Sequence, residues 1–154
     1  MVSVEEFVDR LCRIGSGRDR RGFPRRRRDR AILFRSIVQT LDSDRTYTEI
    51  QINRALLAWG REVAPSITTD HVTLRRLLVD YGHLERRADG SVYQLGFPAQ
   101  PLAFELEVYD VDVRATTAAF RDQQGAQGAG RRSVREDSER APARARSGAR
   151  RSRP

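Results

Sequence analysis

The stretch Leu74–Leu95, LRRLLVDYGHLERRADGSVYQL, changes from a helical to a strand-like pattern of apolar residues. Its first half carries leucines at helical spacing and ends at Gly82, a residue suited to the left-handed conformation that closes many helices. Its second half alternates apolar and polar residues on both sides of the pair Asp89-Gly90, which favours a tight turn between two strands. The sequence therefore predicts a helix followed directly by a β-hairpin.

Three further helices are predicted upstream of this stretch. The first opens with a capping box formed by Ser3 and Glu6. A second helix is expected to begin near Pro24, a suitable first-turn residue. Thr48, with a glutamine three residues later, can cap a third helix that Gly60 ends.

The fourth helix is expected to run from about Asp70 to Tyr81. Its apolar face predicts four inward side chains, Leu74, Leu77, Leu78 and Tyr81. Three helices followed by a hairpin are the order of a winged helix-turn-helix. We therefore expect a mainly α protein with a small β-hairpin (α+β), winged helix-turn-helix-like, with a disordered basic C-terminal tail.

The sequence beyond the hairpin divides into two further segments. Leu102–Val113 alternates apolar and acidic positions like an edge strand, and Asp112 can cap a short helix through Phe120. A glycine-rich linker follows, and residues 131–154 carry nine arginines, a net charge of +6 and almost no large apolar residue, which predicts disorder. The expected organisation is an N-terminal helix and basic linker (1–22), a winged-helix-like domain (23–96), a strand and helix extension (97–124) and a disordered Arg-rich tail (125–154).

Length and charge exclude several classes of protein. The chain has 154 residues, a net charge of +8, 29 arginines and no lysine, so there is room for one small domain and not for a large multidomain enzyme. Arginine-only usage is explained equally well by a GC-rich genome. No apolar run approaches the roughly 20 residues of a membrane span, and the charged N-terminus lacks a signal-peptide pattern. With Cys12 as its single cysteine, the protein is expected to be soluble and cytoplasmic.

Several of these strings resemble a known family, the bacterial domain of unknown function 2087, over about residues 23–95. The resemblance is carried by Phe23-Pro24 with the arginines that follow, by Tyr47-Thr48-Glu49 with Ile52-Asn53, and by LRRLLVDYG and DGSVY within Leu74–Leu95. The family occurs alone or fused behind helix-turn-helix regulators. The resemblance therefore implies the fold more than any activity.

The outward face of the fourth helix suggests nucleic-acid binding. If the leucines point inward, Val72, Arg76 and Val79 point away, with threonines and Arg75 on the flanks. In a winged helix this face enters the major groove, where arginine recognises guanine. Four consecutive arginines at a helix start oppose the helix dipole and invite an anionic partner. The predicted nucleic-acid-binding residues are Arg25, Arg26, Arg27, Arg28, Thr69, Thr73, Arg75, Arg76, Arg86 and Arg87.

Three simpler explanations of these charges remain open. The helix arginines can solvate an exposed face or pair with Asp80 and Glu85, and the basic run can pair with Asp29 or with the acidic stretch Glu105–Asp112 in the same molecule. Two outward valines can equally mark a protein contact. DNA is the expected partner and RNA is an alternative, a homodimer through the first helix or a partner protein is possible, and no membrane is expected. A DNA-binding chain would be nucleoid-associated.

Nothing in the sequence favours catalysis. His71 and His83 are the only histidines, and the chain contains no HExxH, CxxC or glycine-rich phosphate loop. Cys12 falls on the apolar stripe of the first helix, where a small core residue is expected. We expect no enzyme, no metal and no cofactor. The function hypotheses are a DNA-binding regulator, or accessory to one, and a protein-interaction module of the same fold.

Overall fold

The computed structural model describes residues 1–139, with side chains through residue 128. Two compact units divide the chain, Met1–Asp122 and Gln123–Pro154. Within residues 1–139 the protein is α+β, with five α-helices and one three-stranded antiparallel sheet. The elements are α1 (Val4–Gly15), α2 (Arg27–Val38), β1 (Tyr47–Thr48), α3 (Glu49–Glu62), α4 (His71–Asp80), β2 (Leu84–Arg86), β3 (Val92–Leu95), a 3₁₀-helix (Leu106–Asp110) and α5 (Val113–Glu139).

Helix α1 forms half of its predicted capping box. The Ser3 Oγ accepts a hydrogen bond from the Glu6 N–H at 3.2 Å. The Glu6 carboxylate turns instead to the guanidinium of Arg28 in α2. A charge-assisted pair with arginine is stronger than a bond to a backbone N–H, so tertiary contact replaces the second half of the cap.

Helix α2 begins at Arg27, three residues later than Pro24. The preceding segment is held alongside the chain that leads into α4, because Arg21 exchanges backbone hydrogen bonds with Ser66 and Thr68, each of 2.8 Å. The Phe23 N–H adds a bond of 2.9 Å to the Thr69 hydroxyl. These contacts fix the backbone in an extended form before the helix can start.

Helix α3 has the complete capping box that the sequence predicts. The Thr48 Oγ1 accepts from the Gln51 N–H at 3.3 Å, and the Gln51 side chain accepts from the Thr48 N–H at 3.0 Å. The prediction that Gly60 ends this helix is wrong, since α3 continues to Glu62. The Trp59 side chain is fully buried. Its packing outweighs the modest cost of a glycine at the next position of the helix.

The predicted hairpin is confirmed and gains a third strand. Leu84 pairs with Leu95 and Arg86 with Tyr93, and Gly90 has the left-handed φ of +74° in the turn. The short strand β1 pairs with the other edge of β3, with Tyr47 opposite Tyr93. The sheet order is therefore β1-β3-β2. The strand β1 has only two residues, too few to show the alternation from which a strand is predicted.

A single core draws side chains from α1, α2, α3, α4, the sheet and the segment after it. Its fully buried members include Phe7, Leu11, Ile32, Leu33, Ile37, Ile52, Leu56, Trp59, Leu78, Leu84 and Val108. The apolar side chains of α1, which are one candidate dimer surface, therefore pack against other elements of the same chain. Cys12 is also buried, as predicted, and burial raises the pKa of its thiol.

Tyr81 departs from the predicted core. It is 42% exposed, whereas the neighbouring Leu74 and Leu78 are buried. Tyr81 is the C-cap residue of α4, where the chain turns toward Gly82, and its ring lies against Phe34 and beneath the Arg30 guanidinium. The side chain therefore covers the core edge without entering it.

The predicted edge strand Leu102–Val113 is wrong. Its middle part, Leu106–Asp110, folds as the 3₁₀-helix, and Phe104 forms only an isolated bridge with Val2. The chain start holds the segment, because the Glu105 carboxylate accepts from the Val4 N–H at 3.0 Å while the Val108 side chain is buried. The alternation of apolar residues reflects this anchoring and not a sheet face.

Helix α5 begins as predicted and ends later. The Asp112 carboxylate accepts from the N–H groups of Arg114 and Ala115 at 3.1 and 3.0 Å. The helix was expected to end at Phe120 but continues through Glu139, across the first part of the segment 125–154 for which we predicted disorder. Residues 140–154 of the predicted tail lie outside the described residues.

Candidate nucleic-acid interface

Helix α4 is fixed at both ends. The Asp70 carboxylate accepts from the Thr73 N–H at 2.9 Å and from the Thr73 hydroxyl at 2.7 Å, and these bonds lower the pKa of Asp70. Gly82, with a φ of +76°, reverses the chain into β2. Leu74 and Leu78 anchor the inner face in the core. The register of the outer face is therefore set by two caps and two buried leucines.

The outward side chains of α4 are mostly those that the spacing predicts. Arg76 and Thr73 are exposed, and Val72 is 43% exposed. Val79 is partly buried against the core. Thr73 already donates its hydroxyl proton to Asp70, so only its oxygen lone pairs are free to meet a ligand.

Arg75 is held within the fold. Its side chain is 14% exposed, and its guanidinium binds the Asn53 side-chain oxygen and lies 3.2 Å from the Glu49 carboxylate. The same guanidinium lies over the Tyr93 ring, 5.5 Å from its centroid. Arg75 thus joins α4 to α3 and to the hairpin, which the spacing of the α4 sequence could not predict.

The hairpin presents two arginines next to α4. Arg86 and Arg87 are exposed, and the Arg86 guanidinium packs over Gly90 and toward the Tyr93 ring. A Cβ at Gly90 would lie 2.4 Å from an Arg86 nitrogen, so the turn glycine also makes room for this side chain. The Asp89 carboxylate is occupied by Ser91, which lowers the pKa of Asp89.

A groove of about 260 Å³ separates α4 from the hairpin. We call it the α4 groove; it is lined by Val72, Arg75, Arg76, Val79, Asp80, Arg86 and Tyr93. Three guanidinium groups and one carboxylate therefore border it. This arrangement suits an anionic ligand that touches the helix and the hairpin together.

The basic run at the start of α2 separates into exposed members and one ion-paired member. Arg25, Arg26 and Arg27 are exposed. Arg28 instead forms an ion pair with Glu6 and donates to the Met1 carbonyl at 2.9 Å. The predicted intramolecular partner therefore exists for one of the four, and α1 supplies it, not the acidic stretch Glu105–Asp112.

An ion-pair network surrounds Arg28. Arg10 bridges the Glu6 carboxylate at 2.8 Å and the Asp29 carboxylate at 2.6 Å. The hydrogen bond from Arg28 is the main cause of a lowered pKa at Glu6, and the pKa of Arg28 is raised in turn. This network compensates the charge at the α2 start and joins α1 to α2.

Thr69 connects the basic run to α4. Its hydroxyl accepts the Phe23 N–H, so the residues just before Arg25 lie beside those that lead into α4. Arg21 is not among the predicted nucleic-acid-binding residues, but it is exposed, and its backbone N–H and carbonyl both bond to the segment that leads into α4. Arg21 lies in an irregular segment, where no periodicity indicates which side chains face outward. Its charge and its closeness to the basic run are the two signals for it in the sequence.

The comparisons with known proteins agree with the resemblance in the sequence. Residues 21–95 match a family described as an uncharacterized protein conserved in bacteria, DUF2087. This segment is a DUF2087 domain. It spans α2, the sheet, α3 and α4, and therefore includes the α4 groove and the basic run. Searches of curated proteins and of solved structures give no significant match.

Two further features bear on the interpretation of the DUF2087 domain. No helix within residues 1–139 is long and apolar enough to cross a membrane. In the part of the chain that the structure describes, no group of three or more His, Cys, Asp and Glu side chains is placed to hold a metal ion.

Proposed function

We propose that this chain is a nucleic-acid-binding module, most simply a DNA-binding transcriptional regulator or accessory that uses a winged helix-turn-helix. The element order from α2 to β3 is helix, strand, helix, helix, strand, strand, and β3 lies between β1 and β2. This order supports the interpretation of the domain as a winged helix, with α4 as the recognition helix and the β2–β3 hairpin as the wing. Such a protein would work in the cytoplasm, at the nucleoid.

The observation that carries the proposal is the placement of exposed arginines on both sides of the α4 groove. Arg76 lies on α4, and Arg86 and Arg87 lie on the hairpin. We assign base recognition to Arg76, since a guanidinium can bond the O6 and N7 of guanine together. We assign contact with the flanking phosphates to the hairpin arginines.

Arg25 and Arg26 extend this surface toward the other end of α4. They follow Phe23, whose N–H is bonded to Thr69 just before the helix. We assign them to backbone contact because they belong to an irregular segment and carry no rigid support. Arg28 and Arg75 are assigned supporting roles instead, since each is already paired inside the fold.

The proposal is tested by fluorescence anisotropy with a labelled DNA duplex at 50 and 200 mM salt. Six to ten phosphate contacts would lower the affinity by about 10³ to 10⁵ over this range. The full-length chain is compared with Arg76→Ala and with the double variant Arg86→Ala/Arg87→Ala. Arg61→Ala, an exposed arginine on α3, is the matched control.

Each variant has a distinct expected result. The hairpin double variant should reduce the slope of log affinity against log salt by about 1 to 2, because about 0.9 counterion is released per phosphate contact. Arg76→Ala should weaken binding more for a selected site than for arbitrary duplex. Equal affinities for all four proteins would overturn the proposal.

A further variant isolates the tail. Replacing the nine arginines between residues 131 and 153 by glutamine leaves the chain length unchanged. If this variant loses all binding while the α4 and hairpin variants keep it, the affinity belongs to the tail and the winged-helix proposal fails. An RNA duplex of the same sequence, used as competitor, distinguishes DNA from RNA.

The second candidate is a protein-interaction module of the same fold without a specific nucleic-acid target. The observation that favours it is a set of exposed apolar side chains, with Ile50 65%, Leu57 48% and Leu106 81% exposed. Ile50 and Leu57 lie seven residues apart on one face of α3, the spacing of a helix that packs on a partner. A complex that resists salt and is lost in Ile50→Ser/Leu57→Ser would favour this function.

A further inference from the structure

A large cleft opens between α2 and the segment that follows β3. Its volume is about 1050 Å³, at the upper end of the range for small-molecule sites. One wall is formed by Phe34 and Arg35 of α2, and the other by residues 95–102 and Tyr109. All of these residues belong to the compact unit Met1–Asp122. We call this feature the α2 cleft, and it is separate from the α4 groove.

A cluster of aromatic rings lies beneath one wall of the α2 cleft. The Phe34 ring lies 5.3 Å from the Tyr81 ring and 4.7 Å from the His83 ring, measured between centroids. Phe97, in the segment after β3, is 92% exposed although it borders the cleft. The phenyl ring is therefore accessible to a ligand at the edge of the cleft.

The segment that carries Phe97 is held rigidly at its start. The Gly96 N–H donates to the His83 carbonyl at 3.0 Å, and a Cβ at Gly96 would lie 2.6 Å from the Gly82 carbonyl oxygen. Pro98 lies close to Gly82 in the same way. The cleft wall is therefore fixed to the end of α4 by close backbone packing, so the opening is part of the fold.

Two guanidinium groups in the cleft lie over aromatic rings. Arg35 lies 4.4 Å from the centroid of the Tyr109 ring, and Arg30 lies 4.4 Å from that of Tyr81. Neither forms an ion pair with a carboxylate within the described residues, although Asp44 and Asp80 also line the cleft. The Arg35 Nε is shielded from solvent and has no hydrogen-bond partner in the same part of the chain.

The charge balance of the cleft favours an anion. Four arginines and two aspartates line it. Burial lowers the pKa of Arg35, but a guanidinium remains charged at neutral pH. Burial, together with the nearby Arg35 charge, lowers the pKa of His83 to about 4, so the imidazole beside these arginines is neutral. It can then donate or accept a hydrogen bond without adding charge.

We propose that the α2 cleft binds a small organic anion with a planar aromatic body, such as an aromatic carboxylate. Its acid group would pair with the Arg35 guanidinium, whose shielded Nε has no hydrogen-bond partner within the described residues. Its ring would pack against the exposed side chains of Tyr81 and Phe97. A simple inorganic anion would leave this aromatic surface uncovered, and an uncharged apolar molecule would leave the guanidinium of Arg35 without a partner.

The test uses the full-length chain and the fluorescent aromatic anion 8-anilinonaphthalene-1-sulfonate. The expected result is saturable binding of one probe per chain with a rise in probe fluorescence. Naphthalene-2-carboxylate should displace the probe. Its cationic counterpart 2-naphthylmethylamine and the non-aromatic anion acetate should not do so at the same concentration.

Three variants locate the binding site. Arg35→Met removes the charge and keeps an apolar side chain of similar length, and it should weaken probe binding by about tenfold or more. Phe97→Ala changes a side chain that is almost fully exposed, so it tests the ring contact without risk to the fold. Arg54→Met is the matched control, an exposed arginine on α3 outside the cleft.

The outcomes separate a built site from unspecific adsorption. Weaker binding in both cleft variants, with the control unchanged and circular dichroism melting intact in Phe97→Ala, supports the proposal. Probe binding that is equal in all four proteins, or displacement by the amine as effective as by the carboxylate, overturns it. No nucleic acid is present in this experiment, so its result does not depend on the function proposed above.

Discussion

The Arg75 guanidinium in α4 lies 3.2 Å from the Glu49 carboxylate in the first turn of α3. It also binds the Asn53 side chain and packs over the Tyr93 ring. One arginine thus ties the two helices of the proposed helix-turn-helix to the hairpin. Its neighbour Arg76 is exposed and free of such contacts in the described part of the chain.

These two adjacent arginines should therefore behave differently when truncated. Arg75→Ala is expected to lower the free energy of unfolding by about 1–2 kcal/mol, because it removes a partly buried hydrogen bond, an ion pair and ring packing. Arg76→Ala should change it by no more than about 0.5 kcal/mol. Urea denaturation followed by circular dichroism measures both. Equal stability losses would contradict the separation into a supporting and a surface arginine.

Ser36 and Trp59 form the polar contact at the centre of the core. The Trp59 indole N–H donates to the Ser36 hydroxyl at 3.0 Å, and both residues are fully buried. Ser36→Ala leaves this N–H without an acceptor, so we expect a loss of about 1–3 kcal/mol in unfolding free energy. Thermal denaturation of Ser36→Ala against Ser43→Ala, an exposed serine, checks it. A loss no larger than that of the control would contradict this role.

The sequence predicts local features of the fold well where one signal is strong. The Thr48–Gln51 capping box, the left-handed Gly82 and the Asp89-Gly90 turn all occur as expected. Each is decided by a few residues close together in the chain. The types of these elements follow from such signals without knowledge of the tertiary packing.

The errors arise where distant residues decide the structure. The start of α2 depends on backbone hydrogen bonds between Arg21 and residues 66–68. The conformation of Leu102–Val113 depends on contacts with Val2 and Val4, near the start of the chain. The same holds within the candidate interface. Arg75 and Arg28 have the charge of ligand-binding residues, but their partners come from α3 and α1, which the spacing along α4 or α2 does not reveal.

Gly60 lies inside α3, where a glycine costs backbone entropy without serving a turn. A Cβ at this position would meet nothing within 4 Å. Gly60→Ala should therefore raise the free energy of unfolding by about 0.5–1 kcal/mol. Gly15→Ala provides the contrast, since its Cβ would lie 2.9 Å from the Val63 carbonyl oxygen and should destabilise the protein. Urea midpoints that shift in the same direction would contradict this distinction.

His83 should make the stability of the domain depend on pH. Burial and the nearby Arg35 charge lower its pKa from 6.5 to about 4 in the folded protein. Between these values the unfolded chain binds a proton at His83 that the folded chain does not bind. Stability is therefore complete above pH 6.5 and falls as the pH decreases toward 4.

The expected loss is about 1–2 kcal/mol between pH 7 and pH 4.5, less than the full shift implies, because the partly exposed imidazole is screened by solvent. Urea denaturation at several pH values in this range measures it. His83→Gln should remove most of the slope, since its side chain does not titrate. His71→Gln, which removes the other histidine of the chain, is the matched control. A slope unchanged in His83→Gln would show that the imidazole is not held neutral by the fold.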